Sequence, residues 1–186
     1  TVFKPDESSK RDKIIDILFV GRIAKQKNIE SLLIAVSKLN LKTQIIGSGN
    51  LKKSLQNKYQ SKNILWNENI PSNSLPEIYN SCKVFVLPSY YEGHPKTLIE
   101  AMSCGCAVLG ANTTGIAEII NHGQNGMLCK PESEDISSAL INLLQQPVLR
   151  EKLGFEARKY ILRNNSLNII TNLESNLYSE ILMNDE

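Results

Sequence analysis

The chain has 186 residues, of which 41% are hydrophobic and 22% are charged, and its formal net charge is +2. This length is enough for one domain with a real core, and the composition is typical of soluble globular proteins. The net charge is too small for a nucleic-acid groove or a polybasic membrane face, and the apolar runs are too short to span a bilayer.

The chain opens with a polar, charged segment, residues 1–12, which is predicted to be a linker or tail. Because the first residue is Thr1 rather than Met, we expect a piece of a longer protein or a trimmed one. Residues 13–186 are then predicted to form one domain that includes C-terminal helices.

From residue 14 onward, short apolar runs alternate with stretches of helical periodicity. Strands are predicted at 14–20, 43–47, 63–67, 84–88, 107–111 and 126–129. Helices are predicted at 28–39, 51–59, 74–82 (opened by a capping box, Ser74 to Glu77), 96–104, 115–120, 134–145, 148–164 and 167–183. This order predicts an α/β fold: a Rossmann-like open parallel sheet of about six strands with helices on both faces.

Ligands of such sheets bind at the carboxyl ends of the strands, near a topological switch point. The loop after the first strand, GRIAKQKN, carries two cations that can reach over this edge, Arg22 and Lys27. Gly21 permits a sharp turn, and an arginine fork suits phosphate. Taken alone, the loop is better explained by solvated cations at a helix entrance.

The other loops are less informative by themselves. The second, GSGN, lacks the third glycine of the dinucleotide fingerprint because Lys52 stands there, so it predicts a tight turn with close backbone approach. The third, NENIP, could lay backbone groups along a flat ring. The fifth, NTTGIAE, is either an ordinary helix start at Gly115 or a further source of amides near the same site.

The fourth loop, within YYEGHPKTLIEAMSCG, predicts an anion site. Pro95 suits the first turn of a helix, since its missing N–H group costs nothing there. The free N–H groups of Lys96, Thr97 and Leu98 then point outward with the positive end of the helix dipole. Gly93 permits a ligand to approach the backbone closely.

Two acids flank this predicted anion site. Glu100 forms a capping box with Thr97 in the sequence, and this explanation is as good as a functional one. Its carboxylate could instead accept the two vicinal hydroxyls of a ribose. Glu92 is either an exposed loop acid, a second hydroxyl acceptor or a charge that stabilises a developing cation. An anion site between two hydroxyl-binding acids predicts a sugar–diphosphate–nucleoside ligand.

Taken together, the loops resemble the C-terminal domain of retaining GT-B glycosyltransferases of group 1, or family 4. The resemblance covers residues 14 to about 170 and is carried by FVGRIAKQKN, IIGSGN, LPEIYNSCKVFVLPSYYEGHPKTLIEAMSCGCAVLGANTTGIAEII and HGQNGMLC. The combination of Gly-Arg…Lys with Glu-x7-Glu and Ala-Met-x-x-Gly is highly specific, although each short piece alone is not.

The resemblance implies roles for individual residues. Arg22 and Lys27 are expected to hold the donor diphosphate and support the leaving group, and Glu92 to contact the donor sugar, so these three are the expected catalytic residues. Glu100 is expected to bind the ribose hydroxyls. The other expected substrate-binding residues are Gly21, Asn69 and Ile70 (where the family's backbone reads the base), Gly93, His94, Pro95, Lys96, Thr97 and Leu98.

Five residues depart from the family pattern. Asn28 replaces a glycine after Lys27, Glu68 stands where glycine is common, His94 replaces an aromatic or aliphatic residue, Ala107 replaces proline, and Thr114 replaces the first of two glycines. None of them removes a charged donor contact. They leave the identity of the donor and the role of His94 open.

By the same resemblance, the full protein is expected to be a cytoplasmic enzyme that transfers a sugar from a nucleotide-diphosphate donor with retention, in cell-surface polysaccharide or glycoconjugate synthesis. A UDP-sugar is the first expectation for the donor and a GDP-sugar the second, with no cofactor, metal or nucleic acid. The N-terminal acceptor-binding domain would be missing, so the chain alone should bind donor without catalysing transfer. Peripheral association of the full protein with the inner face of the membrane stays open.

Two alternatives remain from the sequence. Half of a nucleotide-sugar epimerase would share the fold, but Glu-x7-Glu and Ala-Met-x-x-Gly favour a transferase. A non-catalytic nucleotide-sugar-binding module stays open. The four cysteines (Cys82, Cys104, Cys106 and Cys129) lack zinc-ligand spacing and are interpreted as reduced, small apolar residues.

Overall fold

The computed structural model describes residues 2–6 and 13–165, and singly residues 169, 171 and 175. The strands of the described part are β1 (Ile15–Val20), β2 (Thr43–Ile46), β3 (Ile64–Asn67), β4 (Cys82–Leu87), β5 (Ala107–Ala111) and β6 (Met127–Cys129). The helices are α1 (Ile29–Leu39), α2 (Lys52–Lys58), α3 (Leu75–Ser81), α4 (Lys96–Ser103), α5 (Ser133–Gln145) and α6 (Pro147–Asn164), with a 3₁₀ turn at Lys25–Lys27. The helix predicted at 167–183 lies outside the described residues.

All six strands are parallel, in the order β3-β2-β1-β4-β5-β6. The predicted open Rossmann-like sheet with covering helices is confirmed. Strand β1 pairs with β2 on one side and with β4 on the other, so the chain reverses its direction of travel across the sheet between these strands. This pair of strands is the topological switch point, and the loops after β1 and β4 flank it.

The core lies on both faces of the central strands. Residues 17–19 of β1 and 84–87 of β4 are at most 1% exposed, because helices cover both sides of a parallel sheet. Helix α1 buries one stripe at helical spacing, formed by Ile29, Leu32, Leu33 and Val36. The continuous apolar runs in the sequence are therefore strands buried on both faces.

Residues 2–6, which the sequence analysis assigns to a linker or tail, lie against α3 and α6. The ring of Phe3 meets the ring of Tyr79 edge-on, with centroids 6.1 Å apart. The Asp6 N–H donates to Asn80 Oδ1 at 3.1 Å, and Arg158 donates to the Phe3 carbonyl at 3.1 Å. This segment therefore joins the packing of the domain before residue 7.

Two local predictions are wrong. Residues 115–120 form turns rather than a helix. Gly115 has φ +80°, and the backbone bonds of the segment close two separate turns, one onto the Thr113 carbonyl and one onto the Ile116 carbonyl. A residue in the left-handed region interrupts helical geometry at the first turn. The Ser74–Glu77 capping box is not formed either, since α3 has no side-chain cap bond at Ser74.

Among the helices of the described residues, none has the length and apolar character that crossing a membrane would require.

Candidate functional site

The loops after β1 and β4 are joined to each other at the switch point. The Tyr90 N–H donates to the Gln26 carbonyl at 2.9 Å, and Gln26 Nε2 donates to the Tyr91 carbonyl at 2.8 Å. The second of these bonds connects residues 65 apart in the chain. The first and fourth loops therefore form one continuous wall, on which the predicted cations and acids meet.

Lys27 and Glu92 form an ion pair within this wall. Lys27 Nζ lies 2.7 Å from Glu92 Oε1 and 2.9 Å from Oε2, and the two side chains are 18% and 6% exposed. The Glu92 N–H donates to the Thr114 carbonyl at 3.0 Å, which fixes the acid from the fifth loop. The interpretation of Glu92 as an exposed loop acid is wrong, because its side chain is buried. A carboxylate at this depth needs a partner cation, and Lys27 is that partner.

Asn28 explains why this chain can depart from glycine after Lys27. Its backbone is left-handed, with φ 50° and ψ 36°, a conformation that asparagine tolerates better than most residues. Its side-chain Nδ2 donates to the carbonyls of Pro88 at 3.1 Å and Pro131 at 2.7 Å. The substitution therefore keeps the required backbone conformation and adds two bonds, one to the start of the fourth loop and one to the segment between β6 and α5.

A pocket of about 370 Å³ opens between the first, second and third loops. Four predicted site residues line it together: Gly21, Arg22, Asn69 and Ile70. Arg22 is exposed. The lining also includes Ser48 and Leu75, which the sequence analysis did not single out, but not Lys27, Glu92 or Glu100. The structure thus separates the predicted residues into a pocket and an adjacent wall.

Glycines bring the first two loops into direct backbone contact. An added Cβ on Gly47, whose φ is +143°, would lie 2.0 Å from the Gly21 carbonyl oxygen, and one on Gly49 would lie 2.2 Å from the Ile23 oxygen. The Ile23 N–H donates to the Ser48 carbonyl at 2.8 Å. The close backbone approach predicted for the second loop is therefore made by the first loop. Together the two loops form a rigid floor for the pocket.

Lys52 fixes the third loop. It is only 9% exposed, and its Nζ donates to the Asn67 carbonyl at 3.0 Å and to Glu68 Oε1 at 2.7 Å. Asn67 and Glu68 lead directly into Asn69, whose Oδ1 accepts from Ser48 Oγ at 3.4 Å. In the sequence, Lys52 is notable only because it stands where the dinucleotide fingerprint has its third glycine. No sequence pattern indicates that its side chain is buried.

Helix α4 begins at Lys96 with Pro95 in the N-cap position. The Lys96 N–H donates to the His94 carbonyl at 2.9 Å and the Leu98 N–H to the Pro95 carbonyl at 3.0 Å, so the prediction that these two amides are free is wrong. The tight turn at Pro95 places carbonyls beside them. Three N–H groups of this segment have no acceptor among the described residues: those of Gly93, His94 and Thr97.

Glu100 is 6% exposed and does not form the capping box with Thr97, because α4 has no side-chain cap bond. Instead Glu100 Oε2 accepts a hydrogen bond from the Tyr79 hydroxyl at 3.0 Å. Lys96 Nζ lies 3.7 Å from Oε1. Burial raises the pKa of Glu100, and the bond from Tyr79 and the charge of Lys96 oppose that rise. The sequence analysis did not single out Tyr79.

The sequence leaves the fifth loop as either an ordinary helix start or a source of amides, and the Gly115 amide is already bonded within the loop. The Gly115 N–H donates to Glu118 Oε1 at 3.2 Å, so a side chain of the same loop already accepts the hydrogen bond of this amide. Gly115 lies against the backbone of Glu92, where a Cβ would come within 2.0 Å of the Glu92 carbonyl oxygen. In the part of the chain that the structure describes, no three His, Cys, Asp or Glu residues group as a metal site.

Known proteins are similar to this chain in sequence and in fold. The profile of the family described as "Glycosyl transferases group 1" matches residues 3–160. The capsular polysaccharide biosynthesis glycosyltransferase CapM of Staphylococcus aureus is 30% identical over 90% of this chain and 47% of its own length. The chain spans less than half the length of the curated relatives that it matches.

Two solved structures show the same architecture. The C-terminal domain of LpcC, a glycosyl transferase group 1 family protein of Francisella tularensis, superimposes with a TM-score of 0.75 at 25% identity, covering 89% of this chain and 97% of that one. HepE of Anabaena, in complex with UDP-glucose, superimposes with a TM-score of 0.82 at 18% identity, covering 96% of this chain and 54% of that one. At that identity, the second likeness shows the fold alone.

Proposed function

The chain belongs to the glycosyl transferases group 1 family, and we propose that it is the C-terminal domain that binds the nucleotide-sugar donor of such an enzyme. The observation that carries the proposal is the buried Lys27–Glu92 pair on the wall beside the switch point, next to the pocket lined by Arg22. The likeness to an isolated C-terminal domain, which the chain covers almost completely, supports the assignment to the second half of the enzyme.

In this proposal, the pocket between the first three loops holds the nucleoside. Ile70 and Leu75 supply apolar surface for a flat ring, and the backbone around Asn69 supplies edge contacts. We propose UDP as the nucleotide and a UDP-sugar as the donor. The solved complexes of HepE with UDP and with UDP-glucose support this choice, because that protein shares the fold.

The diphosphate would lie between Arg22, Lys27 and the start of α4. Lys27 is already oriented by Glu92, so it presents a fixed cation at little further entropic cost. The unpaired N–H groups of Gly93, His94 and Thr97 lie at the positive end of α4. These groups would stabilise negative charge that builds on the departing diphosphate in the transition state.

The two acids would divide the remaining contacts between them. Glu92, held by Lys27 and by the fifth loop, would meet the donor sugar, and Glu100 would accept the ribose hydroxyls. We propose that the whole enzyme transfers the sugar with retention, in the synthesis of a surface polysaccharide. The relation to a capsular polysaccharide enzyme supports that pathway class.

Calorimetric titration of the chain with UDP-, GDP- and ADP-sugars tests donor binding. We expect the UDP-sugar to bind most tightly. Arg22→Ala should weaken binding about 10- to 100-fold, because a charge-assisted hydrogen bond is worth about 1.5–3 kcal/mol. Lys25→Ala, which removes another exposed cation from the same loop, is the matched control and should change little.

The proposal is wrong if no nucleoside diphosphate binds at millimolar concentration, or if Lys25→Ala weakens binding as much as Arg22→Ala. A second measurement addresses catalysis. The chain alone, given a UDP-sugar and candidate acceptors, should give no transfer, whereas the parent protein should give a product with the donor's anomeric configuration by NMR. Transfer by the isolated chain would contradict the proposed division of labour between domains.

A further inference from the structure

Tyr79 is fixed in the core with its hydroxyl on Glu100. The side chain is fully buried, and its ring meets Phe3 and Phe85 edge-on, with centroids 6.1 Å and 5.7 Å away. Its hydroxyl lies 3.0 Å from Glu100 Oε2. Both rings around it restrict its rotation, so the direction of this hydrogen bond is set by packing.

This contact leaves the two oxygens of Glu100 in different situations. Oε2 is occupied by the buried hydroxyl, while the nearest partner of Oε1 is Lys96 Nζ at 3.7 Å, on a side chain that is 76% exposed. An exposed lysine at this distance holds its partner weakly. Tyr79 therefore fixes the rotation of the carboxyl group and leaves Oε1 with only the weakly held Lys96 as a partner, which another donor can replace.

The same bond acts on the charge of Glu100. Burial raises the pKa of this carboxyl and so favours its neutral form, while donation from Tyr79 favours the ionised form. Burial also raises the pKa of Tyr79, so the phenol keeps its proton and stays a donor. An ionised carboxylate accepts hydroxyl donors about twice as strongly as a neutral group does.

We propose that Tyr79 is the positioning residue for ribose recognition: its hydroxyl orients Glu100 so that the other carboxylate oxygen, Oε1, receives the ribose hydroxyls. This inference rests on the proposed nucleotide-sugar site and adds a residue that does not touch the ligand. A purely structural tyrosine would instead affect every ligand equally, through the stability of the domain.

Tyr79→Phe tests the proposal with two ligands, UDP and 2′,3′-dideoxy-UDP. The variant keeps the ring and its edge contacts, and a thermal melt checks that it folds. We expect Tyr79→Phe to weaken UDP binding about tenfold, as for one hydrogen bond to a charged group, and to leave 2′,3′-dideoxy-UDP unchanged. Tyr59→Phe is the matched control, because the Tyr59 hydroxyl also donates to a glutamate, Glu30, at 3.1 Å on an exposed surface.

Glu100→Gln supplies the second variant. It should remove the preference for UDP over the dideoxy ligand, and Tyr79→Phe should then add nothing further, since both changes act on one interaction. Equal loss of both ligands in Tyr79→Phe, or an unchanged preference, would overturn the inference while leaving the donor site intact. A wild-type chain that binds neither ligand would overturn the proposed function as well.

Discussion

Glu92 and Glu100 are buried carboxylates of one motif that the fold stabilises in different ways. Glu92 has a lysine at 2.7 Å, with both side chains mostly covered. Glu100 has a neutral hydroxyl at 3.0 Å and only a distant, exposed lysine. A direct cation offsets much of the cost of burying a charge, whereas a hydroxyl offsets less. The two acids should therefore respond oppositely when their charge is removed.

Glu100→Gln should raise the free energy of unfolding at pH 7.5. Burial raises the pKa of folded Glu100 above its ordinary value of 4.5, so the unfolded chain releases this proton first. Stability is then lost as pH rises from 4.5 through the raised folded value. Urea denaturation at pH 4 and pH 7.5 should show a stabilised variant only at the higher pH. A variant less stable than wild type at pH 7.5 would contradict this.

Lys27→Met should destabilise the chain by about 3 kcal/mol, because it leaves Glu92 buried without a cation. Glu92→Gln should cost only about 1 kcal/mol, since the lysine left behind is partly hydrated. The double variant should recover most of the loss, and urea denaturation of all four proteins measures this cycle. Additive losses would mean that the two side chains do not act as a pair.

At the scale of elements, the site is held by loop-to-loop contacts more than by helix ends. Asn28 ties the first loop to the carbonyls of Pro88 and Pro131, and Lys52 ties α2 to the third loop. Glycines let the first two loops touch through their backbones. The loops are thus braced in the absence of ligand, which reduces the entropy lost on binding.

Lys52→Met should weaken UDP binding about fivefold without affecting inorganic pyrophosphate, because it loosens the loop that carries Asn69 and Ile70. Folding should survive, since the Asn67 carbonyl still accepts the Gly47 N–H at 3.2 Å and Glu68 is 78% exposed. Calorimetry with both ligands makes the measurement, and Lys53→Met, an exposed neighbour, is the control. An equal loss of affinity for pyrophosphate would mean that the effect of the substitution does not arise in the third loop.

Local patterns predicted the elements well and the caps poorly. Strand β5 was predicted with its observed bounds, and α1 begins one residue later than predicted, because apolar periodicity reports burial directly. The capping boxes at Ser74 and Thr97 failed, since the same residue types at the same spacing can bond elsewhere. The helix predicted to begin at Gly115 was wrong for a related reason, since a glycine in the sequence does not reveal whether its φ is left-handed.

At the scale of the whole molecule, strands far apart in the chain bring the site together. The predicted strand ends do lie on one edge, so the sequence was sufficient to predict which loops share that edge. It was not sufficient to pair the side chains of those loops. Lys27 and Glu92 are 65 residues apart, and Tyr79 and Glu100 are 21 apart. The partner of each acid depends on the geometry of the loops, and the periodicity of the sequence does not encode that geometry.

Because loops from both halves of the sheet would contact one ligand, donor binding should stabilise the entire domain. UDP at about 100 times its dissociation constant should add about 2.7 kcal/mol and raise the melting temperature by about 5–10 °C. Differential scanning fluorimetry measures the shift, and Arg22→Ala at the same UDP concentration should shift less. No shift at saturation, when calorimetry reports binding, would mean that UDP also binds the unfolded chain.

The contact between Gly47 and the Gly21 carbonyl also limits how this domain can acquire a new donor. Any side chain at position 47 would collide with main chain that cannot move aside, and position 49 faces the same obstacle at Ile23. Libraries that aim to change nucleotide preference should therefore leave both codons untouched. Substitutions are better directed at Ser48, Asn69 and Ile70, which line the pocket and whose side chains take no part in these backbone contacts.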